Sequence, residues 1–372
     1  MMAKTIICKI PGKNGVFRAT IESGGILELD PVFENENGDD IAWLSTGLFD
    51  IQVNGMLGAD LAEEGLTVDM VETIDKSLAK KGVTRWCPTV TTQDFQIVKQ
   101  NLATIAKAID SGVAKGVHCI HLEGHYISAE EGYRGVHMEK YIRDPSPEEF
   151  DIWQKAAKGH IGLFSLAPER MGAIPFIRKL KNEGVKIGLV HHNADYATIR
   201  RAVANGADLS SHLINGCARM INRQNNVIWS QLSIDDLWAS FIPDGFHIPA
   251  ATLKTVIRAK GLEKSILVSD IVYLSGMPDG EYVKNGLTVV LKDGGLWVKG
   301  QGTNLLSGAA KTLDEGCSYA AQNDVCSLEQ ALLMSSINPA RYMGIQNSVD
   351  LYPGYKGPLV AFLWNGKKLA VS

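Results

Sequence analysis

From Gly47 onward, short apolar runs alternate with stretches whose apolar residues recur at helical spacing, the pattern of strand-helix units packed on a parallel sheet. Eight runs read as strands: Leu48 to Val53, Thr84 to Val90, Val117 to Leu122, Ile161 to Ala167, Lys186 to Val190, Asp208 to Leu213, Trp238 to Pro243 and Ser265 to Ser269. Helical periods fall between most of them, over Val68 to Lys81, Phe95 to Ser111, Ile174 to Gly184, Tyr196 to Gly206 and Ala250 to Lys260, several closing at or before a glycine. Eight parallel strands with intervening helices predict an α/β fold closed into a (β/α)8 TIM-type barrel. An open doubly wound sheet is the rival, but the chain after the first strand reads Val53-Asn54-Gly55-Met56-Leu57-Gly58, without the glycine-rich dinucleotide turn.

Both ends follow a different rule. Lys4 to Ile10, Val16 to Glu22 and Ile26 to Leu29 alternate as strands between glycines, and Lys356 to Trp364 and Lys368 to Val371 flank an Asn365-Gly366 turn. These segments predict a small β-sandwich-like domain assembled from residues 1–46 and 347–372, with the barrel occupying 47–346. Within the barrel's last third, Gly286 to Gly300 reads as a hairpin around Asp293-Gly294-Gly295, followed by helices over Ser307 to Gln322 and Leu328 to Ser336.

Composition narrows the function classes. Of 372 residues, 45% are hydrophobic and 21% charged, enough to bury a large core. The 37 basic and 41 acidic residues leave a net charge of −4, which argues against nucleic-acid and anionic-membrane binders, so anion recognition must be local. No apolar run approaches the roughly 20 residues of a membrane span, and no cleavage site follows the short run Ile6-Ile7-Cys8, so a cytoplasmic protein is expected. The six cysteines form no Cys-x-x-Cys pair and are expected as reduced thiols, several buried.

Barrel chemistry belongs at the C-terminal ends of strands. Five predicted strands close on polar residues: His121-Leu122-Glu123-Gly124, His191-His192-Asn193, Ser211-His212-Leu213, Asp244-Gly245-Phe246-His247 and Ser269-Asp270. A lone histidine or aspartate in such a place is more often a satisfied hydrogen-bonding group, but five at matched positions reverse that weighting. Two imidazoles and one carboxylate form the donor set of a catalytic divalent metal that keeps a position for water. Alternation puts His121 and Glu123 on one face and sets His191 and His192 opposite each other; only one of the latter pair can face the barrel, and spacing does not choose between them. Asp270 is the candidate base for the bound water. His118 and His160 carry no assigned role.

In order along the chain, Gly47-Leu48-Phe49-Asp50-Ile51-Gln52-Val53-Asn54-Gly55, His121-Leu122-Glu123-Gly124, Gly135-Val136-His137, His191-His192-Asn193-Ala194, Ser211-His212-Leu213-Ile214-Asn215, Asp244-Gly245-Phe246-His247 and Leu306-Ser307-Gly308 resemble the N-acetylglucosamine-6-phosphate deacetylases of the amidohydrolase superfamily. The likeness spans nearly the whole chain, including Asn338-Pro339-Ala340-Arg341 and the closing Pro353 to Val360. It implies Glu123, His191 and His212 as metal ligands, Asp270 as base and His137 as a sugar-contacting residue that helps stabilise the oxyanion. It further implies Asn215, the Gly216 amide, Arg223, His247 and Leu306 around an amino-sugar phosphate, and a homodimer. Many amidohydrolases carry His-x-His on the first strand and hold two metals; Gln52-Val53-Asn54 matches the branch with one divalent ion, for which zinc is the first candidate and iron the alternative. The family's Gly-Pro-Phe, Asn-Ala-Met and Thr-Asp-Ala are here Gly124-His125-Tyr126, Asn215-Gly216-Cys217-Ala218-Arg219-Met220 and Ser269-Asp270-Ile271, departures that spare the metal set and fall on the pocket lining.

Deacetylation of N-acetylglucosamine-6-phosphate to glucosamine-6-phosphate and acetate is therefore the expected reaction. The alternatives are an amidohydrolase for another N-acyl amino-sugar phosphate or an N-acyl amino acid, separable by dependence on phosphate, and an inactive sugar-phosphate-binding barrel, separable by metal content.

Overall fold

The computed structural model describes residues 3–32, 41–284, 286–300 and 305–372; residues 33–40 of the N-terminal β region lie outside the described residues. Strands β1 (Lys4–Lys9), β2 (Val16–Glu22), β3 (Gly25–Val32) and β4 (Ala42–Ser45) precede the barrel strands β5 (Leu48–Val53), β6 (Val83–Val90), β7 (Ile120–Glu123), β8 (Ile161–Leu166), β9 (Lys186–Leu189), β10 (Leu209–Ser210), β11 (Trp238–Phe241) and β12 (Ser265–Leu267). The last eight form one parallel sheet in chain order. It curls into a (β/α)8 barrel, as the eight-run pattern predicts. After it, β13 (Gly280–Lys284), β14 (Leu287–Lys292) and β15 (Gly295–Val298) make an antiparallel sheet, one strand more than the hairpin expected. Strands β16 (Val360–Trp364) and β17 (Leu369–Val371) then join β1 to β4 in a six-stranded sheet ordered β17-β16-β4-β1-β2-β3.

Several covering helices form where a side-chain cap meets a helical apolar period. Helix α1 (Val68–Lys80) starts on the Thr67 hydroxyl, which accepts from the Met70 amide, and buries Val71, Ile74 and Leu78. Helix α2 (Phe95–Asp110) starts on the Asp94 carboxylate and buries Val98, Leu102 and Ile105. After α1 the chain turns at Gly82 (φ +80°), where a Cβ would lie 2.4 Å from the Phe362 ring, so the barrel's lower rim meets the terminal sheet through a position only glycine fits.

Along the inner barrel wall, alternate residues build layers. Cys87, Cys119, Leu163 and Leu209 belong to an apolar floor with Phe49, Ile51 and Ile266, joined by Ala340 and Tyr342 from the C-terminal helical segment. Asn338 fixes that segment by donating to the Leu262 and Ser265 carbonyls at 2.8 and 2.7 Å. One step up each strand the floor gives way to Thr89, His121, Ser165 and Ser211, and one step further along β7 stands Glu123. All six cysteines are free, four of them buried. Among the described residues, no helix is long and apolar enough to cross a membrane.

The seam between β5 and β12 is closed partly by a side chain. Asp270 and Asn54 amides donate to the Gln52 and Ile271 carbonyls at 3.0 and 2.8 Å. Below them, the Asp50 carboxylate accepts from the Ser269 amide at 3.2 Å and from the Gln52 amide at 3.3 Å. Asp50 is wholly buried, and burial pushes its pKa up to about 7 against the hydrogen bonds that lower it. Asp50→Ala would strand both amides and is expected to lower stability by about 2 to 4 kcal/mol, read as a lower urea midpoint. The native chain holds the Asp50 proton between the ordinary carboxylate value of about 4 and about 7 while the unfolded chain has lost it, so this residue's contribution is full below that window and falls as pH rises through it. The gap between wild type and Asp50→Ala should narrow from pH 4 to pH 7; a gap that widens would place the seam's strength elsewhere.

Candidate metal centre at the barrel mouth

Glu123 ends β7 and lies 97% buried. Two imidazole nitrogens converge on its Oε1, His212 Nε2 at 3.1 Å and His191 Nε2 at 3.4 Å. One ligand atom from each of the three residues falls within 4.8 Å of the others. Both histidines stand just past the ends of β9 and β10 with left-handed backbone, φ +47° and +31°, as does Asp270 past β12 at +51°. Non-glycine residues rarely adopt such angles, and here they turn three side chains inward where regular strand would stop serving the site.

Backbone and side-chain partners hold the set. His191 Nδ1 donates to the Tyr133 carbonyl at 2.6 Å, which fixes the ring with Nε2 toward Glu123. Glu123 Oε2 accepts from Gln52 Nε2 at 2.7 Å. His212 Nε2 lies 3.1 Å from Glu123 Oε1, while its Nδ1 is buried without a partner among the described residues. Burial alone would raise the Glu123 carboxyl, yet the hydrogen bonds from His191 and His212 hold it well below the usual carboxylate range. His212 moves the opposite way: burial lowers it, and the Glu123 carboxylate beside it carries it up to about 9. The pocket therefore attracts positive charge between one carboxylate and two imidazoles, and this donor chemistry fits a divalent ion.

Sequence alternation left His191 and His192 unresolved, and the structure separates them. His191 faces Glu123, whereas His192 is buried behind the site, where burial pushes it down to about 4. His121 shares the inner face with Glu123 but sits one layer lower, its Nε2 2.8 Å from the Ser165 hydroxyl, which lies 3.0 Å from that of Ser211. Gly188 lies between those two strands; a Cβ on it would come within 2.5 Å of both hydroxyls.

Asp270 stands beside the set. Asn54 Nδ2 donates to its Oδ1 at 2.7 Å. Burial raises its pKa to about 6, tempered by His212 and pushed further by Glu123. That range suits a group that takes and returns a proton near neutrality. His137, from the long loop after β7, packs its ring against that of His191 at 4.5 Å, and burial pushes it down to about 3.

The remaining sequence candidates divide. Asn215 and Gly216 come three and four residues after His212; the Asn215 Nδ2 is buried and unpartnered among the described residues, and a Cβ on Gly216 would lie 2.6 Å from His191 Nδ1. His247 Nδ1 is 2.7 Å from Asp244 Oδ2. Leu306 bridges to Trp297 at the end of β15. Arg223 is exposed, and only its carbonyl is engaged, by Trp229 Nε1 at 3.0 Å. The structure brings Glu123, His191, His212, Asp270 and His137 together, and among the described residues none bonds the Arg223 guanidinium.

Sequence reasoning noted Gln52 and Asn54 only as absent imidazoles and missed that each amide holds a carboxylate, one on Glu123 and one on Asp270. It also missed Thr92, although the polar run Thr91-Thr92-Gln93-Asp94 closing the second strand obeys the same strand-end rule.

No protein-family model matches the chain. The N-acetylglucosamine-6-phosphate deacetylase of Vibrio furnissii is 31% identical over 308 residues, 82% of this chain and 75% of the relative. The N-acetylgalactosamine-6-phosphate deacetylase of Escherichia coli O157:H7 is 28% identical over 345 residues, 92% of this chain and 89% of the relative. The crystal structure of N-acetylglucosamine-6-phosphate deacetylase from Pasteurella multocida matches with a TM-score of 0.84 at 25% identity, over 98% of this chain and 97% of that one.

Proposed function

Because the chain belongs to the N-acetylglucosamine-6-phosphate deacetylase family, we propose that it hydrolyses the acetamide of N-acetylglucosamine-6-phosphate to the free amine and acetate. The observation that carries this reading is the convergence of Glu123, His191 and His212 beside an aspartate held by Asn54. Glu123, His191 and His212 would hold one divalent ion, zinc first by its two-imidazole, one-carboxylate donor set and iron as the alternative. When bound, such an ion supplies Lewis acidity to water and carbonyl. Asp270 takes the proton from the attacking water and returns it to the departing nitrogen, while Asn54 keeps the carboxylate aimed. His137 donates a hydrogen bond to the oxygen that becomes an oxyanion.

Asn215, the Gly216 amide, His247 and Leu306 are read as the substrate lining. Arg223, exposed and without a side-chain bond among the described residues, is read as reaching the phosphate in a neighbouring subunit of a homodimer, where its planar fork suits phosphate oxygens. Arg223→Ala is expected to raise KM for the 6-phosphorylated sugar by about 10-fold or more with a smaller change in kcat. An unchanged KM would remove Arg223 from the phosphate site, and a solution mass of one 40.4 kDa chain would remove the dimer.

A second reading, the galactosamine epimer, is favoured by the relative that shares more of the chain, 92% against 82%. Acetate release from the N-acetylated glucosamine, galactosamine and mannosamine 6-phosphates, beside their unphosphorylated forms and with metal measured on the same sample, decides among them. Faster turnover of unphosphorylated amides would overturn the sugar-phosphate reading, and metal-free protein without turnover would favour a binding barrel.

A further inference from the structure

We propose that Thr92 is a positioning residue that fixes the proton of His137 on Nε2, making this histidine a neutral hydrogen-bond donor at the reacting acyl group. The inference rests on the reading of His137 as the oxyanion partner, and it goes beyond that reading by naming what sets its chemistry.

The geometry is a count of one hydroxyl's hydrogen bonds. Thr92 is 94% buried in the loop after β6. Its Oγ1 accepts from the His125 amide at 2.9 Å, and it lies 2.8 Å from His137 Nδ1. A threonine hydroxyl has a single proton to give. With the amide occupying one lone pair, donation to Nδ1 satisfies both groups; a protonated Nδ1 would leave the Thr92 proton buried with no other acceptor recorded among the described residues. Nδ1 is thereby an acceptor, and the ring's own proton sits on Nε2, which no hydrogen bond engages among the described residues. Imidazolium is excluded by the same argument, since it would present a donor to Thr92 where an acceptor is needed.

The surrounding backbone is built for this contact. Gly124, immediately after the metal-site Glu123, has φ +99°, and a Cβ there would lie 2.2 Å from Thr92 Oγ1 and 3.4 Å from His137 Nδ1. Glycine at 124 thus lets the hydroxyl fit between the turn and the imidazole, and the next residue supplies the amide that aims it. One turn ends the strand that carries Glu123, admits Thr92 and orients His137.

A neutral Nε2–H is a donor through both halves of the reaction, strengthening as charge gathers on the carbonyl oxygen without surrendering its proton. The alternative tautomer would offer that oxygen a lone pair.

The test is a 15N spectrum of zinc-loaded enzyme labelled in histidine, with His137 assigned by its loss in His137→Asn. The expected spectrum has an unprotonated Nδ1 and a protonated Nε2 at this residue. Thr92→Val, which keeps the shape and removes the hydroxyl, should mix the tautomers and lower kcat by about 10- to 100-fold with KM within about threefold, and Thr92→Ser should restore both. A proton on Nδ1 in the wild type, or Thr92→Val with unchanged spectrum and kcat, overturns the proposal. Should Thr92→Val fail to fold, the wild-type spectrum and Thr92→Ser still decide it. The spectrum needs no substrate, so absent acetate release would count against the assigned reaction while leaving the tautomer answer standing.

Discussion

Asp270→Asn is expected to lower kcat for acetate release by about a thousandfold, within the 10²- to 10⁴-fold range for a general acid-base group, while the protein keeps its metal and its KM. The replacement preserves volume and an oxygen that can still accept from Asn54 Nδ2, now at 2.7 Å from Asp270 Oδ1. It removes only the capacity to take up and return a proton. Because Asp270 is half-buried with a pKa raised to about 6, its two protonation states are close in free energy near neutrality, and an amide has no counterpart to that exchange. Metal content and turnover must be measured on one sample, since a loss of both would implicate the ligand set instead. Retained metal with turnover within about tenfold of wild type would give the proton-transfer role to another group.

Glu123, His191, His212 and Asp270 were legible because a barrel presents strand C-termini at one mouth, so polar residues closing apolar runs mark the site before any coordinate is known. How far each strand runs was less legible. The sixth was expected to extend to Leu213 but ends at Ser210, because His212 and Ile214 take φ +31° and +86° and swing the chain into the site loop. The helix expected from Ser307 begins at Leu313, where Thr312 and Glu315 form a capping box; Ala309 instead pairs with Ile271 on the barrel rim. The helices Pro147–Ala156 and Val227–Leu232 were not anticipated, the first with only Phe150 and Trp153 wholly buried and the second six residues long. Contacts such as Gln52 to Glu123, 71 residues apart, and Asn54 to Asp270, 216 apart, depend on closure of the barrel, which no local period reports.

Glu123→Gln is expected to weaken metal binding by more than about 100-fold and to take acetate release down with it. Even outer partners of metal ligands cost about 10- to 100-fold, and Glu123 is the sole carboxylate in the three-residue set, so its charge is the larger loss. The barrel should stay folded, since glutamine retains the volume and can keep an oxygen toward Gln52. What changes is the attraction for positive charge: His212, lowered by burial and carried to about 9 chiefly by the adjacent carboxylate, would lose that support and shift down beside a neutral amide. Gln52→Ala provides the graded comparison, because it frees Glu123 Oε2 from a 2.7 Å hydrogen bond while leaving the charge in place, and its metal loss should be the milder of the two. Metal retained per chain after dialysis against a weak chelator reads both effects, and partial recovery of turnover in excess zinc should follow for each. Glu123→Gln protein that keeps full metal content and turnover would break the assignment of Glu123, His191 and His212 as one centre, and with it the ion-dependent half of the reaction.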